Sequence, residues 1–579
     1  MASRKRRRVA ALALVSAAWW LMALFAGGDD ARAAGWLPAV NVTPASATYS
    51  SPRLAMDDRG DLFATWVDTD GASAGHVQVS KRPVGGSWED PETLDAKVDA
   101  DFAAPDIAVD AAGNAVVVYS QDGATIRQAR RLAGDSAFGD ESPVPLGVAG
   151  PTNDFPRVAV NRRGDAVLAW RGFQMANPGV KVTVGSVTAP FGAPQQAYAP
   201  NTQPVSPPDV DINEAGDAAA TWQTTPGSSV AIVAAYRPHG GTFQTTPDTL
   251  EGTSSVGLSD PEVAVDSQGR AVALFVRSAG DRIGARSRAA GVGTPWAVLP
   301  NPEVDVLGTG FLEVAFDAQD SAVGAWSGLS QVRVATRPAG GVFDSPPPDT
   351  LTDDQEVASS LAVDSSVLGT IALAWQRNAS NTIRAAIRPP GGPFGAVATL
   401  TGPGRFGNAP DTAADQTGNA AAVWTDTDSA QGDPRIASAV YDATPPQIAN
   451  VQVPPVANAG TPVAMAVDAN DDWSTPAVVW DFGDETAPPG SGIQVNHTYA
   501  SPGTYKVTIT AVDSVGNVAT TSRDIVVGTG EVVDPPTRGV DFNASQVSGT
   551  VLVSVPKNAP AERVLARPPV AHGAAAIRP

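Results

Sequence analysis

The residues in this chain that could do chemistry fall into a few groups. Arg171, Arg277 and Arg377 each stand one or two places after an aromatic residue (Trp170, Phe275, Trp375) in a recurring pattern. Arginines converging with carboxylates would suit a glycoside hydrolase; scattered through an acidic chain they are solvated loop charges. Asp68-Thr-Asp70 and Asp426-Thr-Asp428 put carboxylates at alternate positions, which suits Ca²⁺ and equally suits an ordinary polar turn. Asp57, Asp110, Asn161, Asn213, Asp266 and Asp415 each precede a glycine by three residues. There the side chain caps a turn and the glycine takes positive φ, so their repetition makes them structural.

Other signals exclude more than they suggest. His76, His239, His497 and His572 share no metal-ligand spacing and no H-E-x-x-H occurs, which argues against a zinc hydrolase. Gly71-Ala-Ser73-Ala-Gly75 spells G-x-S-x-G, but in a loop between strands instead of a strand-to-helix elbow, and without a triad partner. Cysteine is absent, so neither disulfides nor thiolate metal sites can staple the chain.

The elements that must position these groups come from a repeat. A segment of the form P-x-[VI]-A-V-[DN]-x-x-G-[ND]-A-V-x-x-W recurs, with its last aromatic at Trp66, Tyr119, Trp170, Trp222, Phe275, Trp326, Trp375 and Trp424, spaced 49 to 53 residues apart. Eight repeats of about fifty residues match the length of four-stranded propeller blades. Pro261–Val265 reads as a first strand, Ala166–Trp170 as a second, Val332–Thr336 as a third and Phe394–Leu400 as a fourth. Two repeats depart at the first turn: Asp317 is followed by Asp320 instead of glycine, and Asp364 by a two-residue insertion before Gly369. Connections between strands one and two and between three and four are nearly constant, whereas the others vary. The eighth repeat lacks a fourth strand, and Trp36–Val42, lying before the first repeat, is the segment expected to supply it beside Ile436–Val440.

Residues 1–33 have the grammar of a secretory signal peptide: basic residues from Arg4 to Arg8, an apolar run from Val9 to Ala26 and Ala31-Arg32-Ala33. An uncleaved N-terminal anchor is the alternative. Removing them takes away six basic and two acidic residues, so the formal net charge of −21 becomes −25. That acidity argues against nucleic acid and anionic membrane as partners. Hydrophobic residues make up 43% and charged ones 17%, with 56 Gly and 50 Pro, the balance of short strands and dense turns. Six lysines against thirty-three arginines, beside abundant Ala, Gly and Pro, suggest a high-GC bacterial genome.

After Tyr441 comes Asp442-Ala-Thr-Pro-Pro446, a stiff linker, and the pattern changes. Trp480-Asp-Phe482-Gly483-Asp484, His497-Thr-Tyr499, Gly503-Thr-Tyr505-Lys-Val507-Thr-Ile509 and Val512-Asp513-Ser-Val-Gly516-Asn517 resemble a PKD domain over residues 447–527. Trp480 and Tyr505 are expected in its core. The earlier repeats, residues 36–443, loosely resemble NHL-type propeller repeats and sialidase-like propellers. Residues 528–579, rich in Pro and Ala, are expected to be mostly disordered. The resemblances imply an all-β protein, an eight-bladed β-propeller followed by an Ig-like PKD β-sandwich. They imply a secreted or cell-surface recognition or adhesion protein binding an extracellular protein or carbohydrate through the variable-loop face. The alternative is a sialidase-like propeller glycoside hydrolase acting on extracellular glycans. Binding is favoured over catalysis: no catalytic residue is assigned, Arg171, Arg277 and Arg377 are candidate ligand contacts, and the only cofactor suggested is calcium at Asp68, Asp70, Asp426 and Asp428.

Overall fold

A computed structural model describes residues 34–529, apart from short stretches such as 100–103, 174–178, 301–310 and 344–348. The expected signal peptide, the G-x-S-x-G serine and the C-terminal tail from residue 530 lie outside the described residues. All described secondary structure is β.

Up to Asp442 the strands form eight antiparallel sheets in chain order, each a meander whose second strand carries the repeat aromatic. Sheet 1 runs Thr48–Met56, Leu62–Thr69, Ala74–Arg82 and Glu92–Asp99. The first strands of sheets 2 to 8 are Asp106–Val109, Thr152–Val160, Asp209–Ile212, Leu258–Val265, Leu312–Phe316, Ala358–Ser365 and Arg405–Ala414. Each packs against the first strand of the next sheet, and that of sheet 8 packs against that of sheet 1. Trp66, Trp170, Trp222, Trp326, Trp375 and Trp424 are buried between sheets, as the repeat requires. Second strands such as Ala115–Ser120 are buried on both faces and therefore read as continuous apolar runs.

The first turns explain the recurring Asx. Asp57 Oδ1 accepts the amides of Arg59 and Asp61 at 2.9 Å each, and Asp110, Asp266, Asp317 and Asp415 do the same in their own turns. Asp320 takes the glycine's place with φ of 57°. In sheet 7 the expectation that Asp364 fills the capping position is corrected: Ser366 does so, with Gly369 N donating to Ser366 O at 2.9 Å. The two-residue insertion keeps the strand's alternation but moves Asp364 back onto the strand.

Sheet 8 is completed from the other end of the chain. Gly35–Trp36 and Val40–Asn41 run antiparallel to the strand Pro434–Asp442, with Trp36 opposite Tyr441 and Val40 opposite Ser438. Leu37 N donates to Val440 O and Val42 N to Ile436 O, both at 2.8 Å, and the Trp36 and Tyr441 rings meet edge to face at 5.6 Å. The missing fourth strand is thus supplied by the segment the sequence left over, which covers an edge that would otherwise be open.

Residues 447–528 form a sandwich of a three-stranded and a five-stranded sheet. Trp480, Val507 and Ile509 are fully buried between them, and Trp480 Nε1 donates to Gly492 O at 2.8 Å. The tyrosine at the centre is Tyr499, fully buried, and not Tyr505, which is half-buried and stacks on Tyr499 with ring centroids 4.4 Å apart. His497 hydrogen-bonds Asp484 at 2.8 Å and stacks on Phe482, a structural role.

Two outcomes follow from these contacts. Deleting residues 35–43 should lower and broaden the thermal melt of the full chain, because it bares the outer edge of sheet 8; an unchanged melt would contradict the pairing. Trp480→Ala should cost about 3–5 kcal/mol in denaturant unfolding of the sandwich, as deletion of a fully buried aromatic does.

Candidate functional site

A first strand has one hydrogen-bonded partner, so alternate amides on its other edge point toward the neighbouring first strands. Side chains from the preceding sheet satisfy them. Asp411 on sheet 8 accepts from Leu54 N on sheet 1 at 2.8 Å, and Asp106 on sheet 2 from Val158 N on sheet 3 at 2.8 Å. Asp209 and Asp211 on sheet 4 accept from Val263 N and Val265 N on sheet 5 at 2.7 Å each, and Asp364 on sheet 7 from Ala414 N on sheet 8 at 2.9 Å.

These carboxylates belong to a belt of charge where the first strands meet. At one level stand Arg53, Asp106, Arg157, Asp209, Glu262, Glu313 and Asp411; Asp211 and Asp364 stand two residues further along their strands. Burial works against the Arg53 charge, but Asp411, Asp106, Glu313 and Glu262 face it and raise its pKa overall. Arg157 is lowered, by burial first and then by Arg53. Burial raises Glu262 and Glu313 well above the usual carboxylate range, helped by Asp209 in both cases. After burial, the nearby Asp209 contributes most to the rise at Glu262. For Arg53, Asp106, Arg157, Asp209, Glu262 and Asp411 the sequence signal was a charged residue directly after the repeat proline on an otherwise apolar strand.

Above the belt the first strands bulge. Ser51, Ala104, Phe155, Asp260 and Ala409, each directly before the repeat proline, have φ between 32° and 52°. The register slips at the same place in sheets 1, 3, 5 and 8. Five non-glycine residues held left-handed at one position cost energy in each case, and strain of this kind collects at binding sites. The bulges lie at the end where the variable connections emerge, such as those between Phe173 and Gly179 or Asp428 and Pro434. Two aromatics are exposed there, Phe311 (38%) and Phe406 (44%). The opposite end is occupied by its own turns: Arg162 on sheet 3 pairs with Asp58 on sheet 1 and donates to Gln416 on sheet 8 at 3.0 Å.

Of the residues singled out from sequence, the three arginines stand at the variable ends of the second strands of sheets 3, 5 and 7. Arg171 makes a bidentate pair with buried Asp154 at 2.7 and 2.6 Å and lies over the Phe155 ring at 4.7 Å. Arg277 pairs with Glu251 at 2.7 Å, which also holds Arg286. Arg377 ends the second strand of sheet 7, with its Nε buried and without a hydrogen-bond partner among the described residues. The three arginines thus stand on three sheets, each with its own surroundings. Asp426 is engaged by Arg405 and, at 3.0 Å, by Arg435, and Asp428 by Arg405 at 3.2 Å. A cation there would have to displace guanidinium groups. Asp68 pairs across the strands with His76, and Asp70 lies outside the described residues.

Residues 448–526 match the PKD domain family, and this part of the chain is a PKD domain. No curated protein matches the chain. Among solved structures it is similar to polysaccharide lyase Uly1, at 10% identity and TM-score 0.43, covering 72% of this chain and 93% of that one. It is also similar to a protein of unknown function from Dyadobacter fermentans, at 12% identity and TM-score 0.38, covering 71% and 100%. The fucose-specific lectin of Aleuria aurantia matches at 12% identity and TM-score 0.34, covering 62% and 99%. Likenesses this loose say nothing of what the chain does.

The belt should set a pH dependence. Burial pushes Asp364 up to about 7 and Asp211 up to about 6. The folded state therefore keeps protons that the unfolded chain releases near pH 4, and the stability contributed by these groups falls as pH rises from about 4 to about 7. Asp364→Asn keeps an oxygen for Ala414 N while removing the charge. Its melting temperature should fall less than that of the wild type between pH 5 and pH 8; parallel curves would contradict the assignment.

Proposed function

We propose that residues 36–443 form a closed eight-bladed β-propeller and that the full chain is a secreted or cell-surface recognition protein. It binds an extracellular protein or carbohydrate at the variable-loop end of the propeller. The observation that carries this reading is the repeated left-handed bulge at Ser51, Ala104, Phe155, Asp260 and Ala409, set among variable connections and flanked by exposed Phe311 and Phe406. Conserved geometry beneath variable loops is how a rigid scaffold presents a changeable surface, and exposed rings suit the apolar faces of sugars or of protein side chains. The cyclic succession of first-strand contacts and the pairing of Trp36 with Tyr441 support closure. The PKD domain supports an extracellular setting, since that family is typical of exported proteins. No helix among the described residues is long and apolar enough to cross a membrane.

Binding is favoured over hydrolysis because Arg171 and Arg277 are each committed to a carboxylate of the fold. The test is a glycan array together with pull-down against extracellular proteins, using the full chain. A ligand should appear whose affinity drops about tenfold or more in Phe406→Ala or Phe311→Ala, with melting unchanged. Time-dependent release of sugars from a bound glycan would overturn the reading in favour of a hydrolase. Binding indifferent to both phenylalanines would remove the variable end as the site.

A further inference from the structure

The last strand of sheet 8 ends on Asp442, whose side chain is fully buried. Its Oδ1 accepts from Thr444 N at 3.0 Å and Thr444 Oγ1 at 3.1 Å, while Oδ2 has no hydrogen-bond partner among the described residues. Two PKD carboxylates face it. Asp471 caps its own loop, with Oδ1 accepting from Trp473 N at 3.0 Å and Ser474 N at 2.8 Å. Asp513 caps the turn to Asn517, with Oδ1 accepting from Gly516 N at 2.6 Å and Asn517 N at 2.8 Å. One oxygen from each of Asp442, Asp471 and Asp513 lies within 4.8 Å of the other two, and no cationic side chain pairs with any of the three among the described residues.

A second, independent feature points to an ion. The amide of Asn517 is fully buried against this cluster: its Nδ2 donates to Asp513 Oδ2 at 2.7 Å and to Asp442 O at 3.3 Å, and its Oδ1 has no partner. Buried polar oxygens are almost always satisfied, so two orphans, Asp442 Oδ2 and Asn517 Oδ1, beside three carboxylates call for a donor the protein does not supply. Every available ligand is a hard oxygen, the set taken by calcium in preference to softer metals.

We propose that Asp442, Asp471 and Asp513 form a divalent-cation site of the calcium type that ties the PKD domain to the last strand of sheet 8. The surroundings are built for such a lock. Trp473, two residues from Asp471, is buried among Leu62, Val84 and Val440 of sheets 1 and 8, with the Arg82 guanidinium 5.2 Å above its ring. The cation then cements a joint already seated by an indole.

The test uses the full chain, stripped with chelator and titrated with Ca²⁺ by calorimetry, with Tb³⁺ luminescence sensitised through Trp473 as a second readout. One ion should bind with Kd of about 0.1–1 mM, the range of extracellular modules, and saturating Ca²⁺ should raise the melting temperature by about 2–4 °C. Asp442→Asn and Asp471→Asn should lose the ion and the shift. Calcium-free Asp442→Asn should melt no lower than calcium-free wild type, because it relieves carboxylate repulsion. A wild type that binds no Ca²⁺ at about 10 mM, or variants that bind it as well as wild type, would overturn the proposal.

Discussion

The unpaired inner edge of each first strand is the constraint on which the rest depends. Eight sheets converge on those edges, and a buried amide without a partner costs about 1–3 kcal/mol. Placing an aspartate on one sheet to accept the amide of the next solves this repeatedly, at Leu54, Val158, Val263, Val265 and Ala414. The side chain serves both to satisfy the backbone and to set the order of sheets, since each bond joins one sheet to its successor. The bond from Asp411 to Leu54 is made between residues 357 apart, so it works with the Trp36–Tyr441 pairing to join the two ends of the repeat region without a disulfide.

That solution gathers negative charge. Seven carboxyls and two arginines meet at the inner edges, and burial drives several carboxyls toward their neutral forms. The placing of Arg53 next to Asp106, at 4.0 Å, is one relief. At the junction with the PKD domain no arginine among the described residues pairs with Asp442, Asp471 or Asp513, and there the proposed relief is an ion instead. The same physical problem, carboxylates crowded by the fold, thus has different answers in two places.

Much of this was legible in the sequence. The spacing from Trp66 to Trp424 set the number of sheets, and the shortage of one strand after Ile436–Val440 matched the surplus at Trp36–Val42. The capped turns followed from Asx and glycine alone. What escaped was whatever depends on packing between sheets. The charged residue after each proline interrupts an apolar strand, and that break in pattern was the available signal; its partners lie on another repeat and leave no local trace. Asp364 was assigned to a turn because a two-residue insertion preserves strand alternation and so hides the shift. Arg171 finds Asp154 on the adjacent strand through a register that a bulge alters, which spacing cannot reveal. Asp442 read as the start of a stiff linker, yet Trp473 and Asn517 fold back onto it and make the boundary a contact.

Amide hydrogen exchange of the full chain tests the central claim most directly. If aspartates on successive sheets close the inner edges, the amides of Leu54, Val158, Val263, Val265 and Ala414 should exchange as slowly as those in the middle of the second strands, such as Leu168 and Val423. Rapid exchange at these five positions, at the rate of an open sheet edge, would show that the sheets are not joined there and would contradict the account.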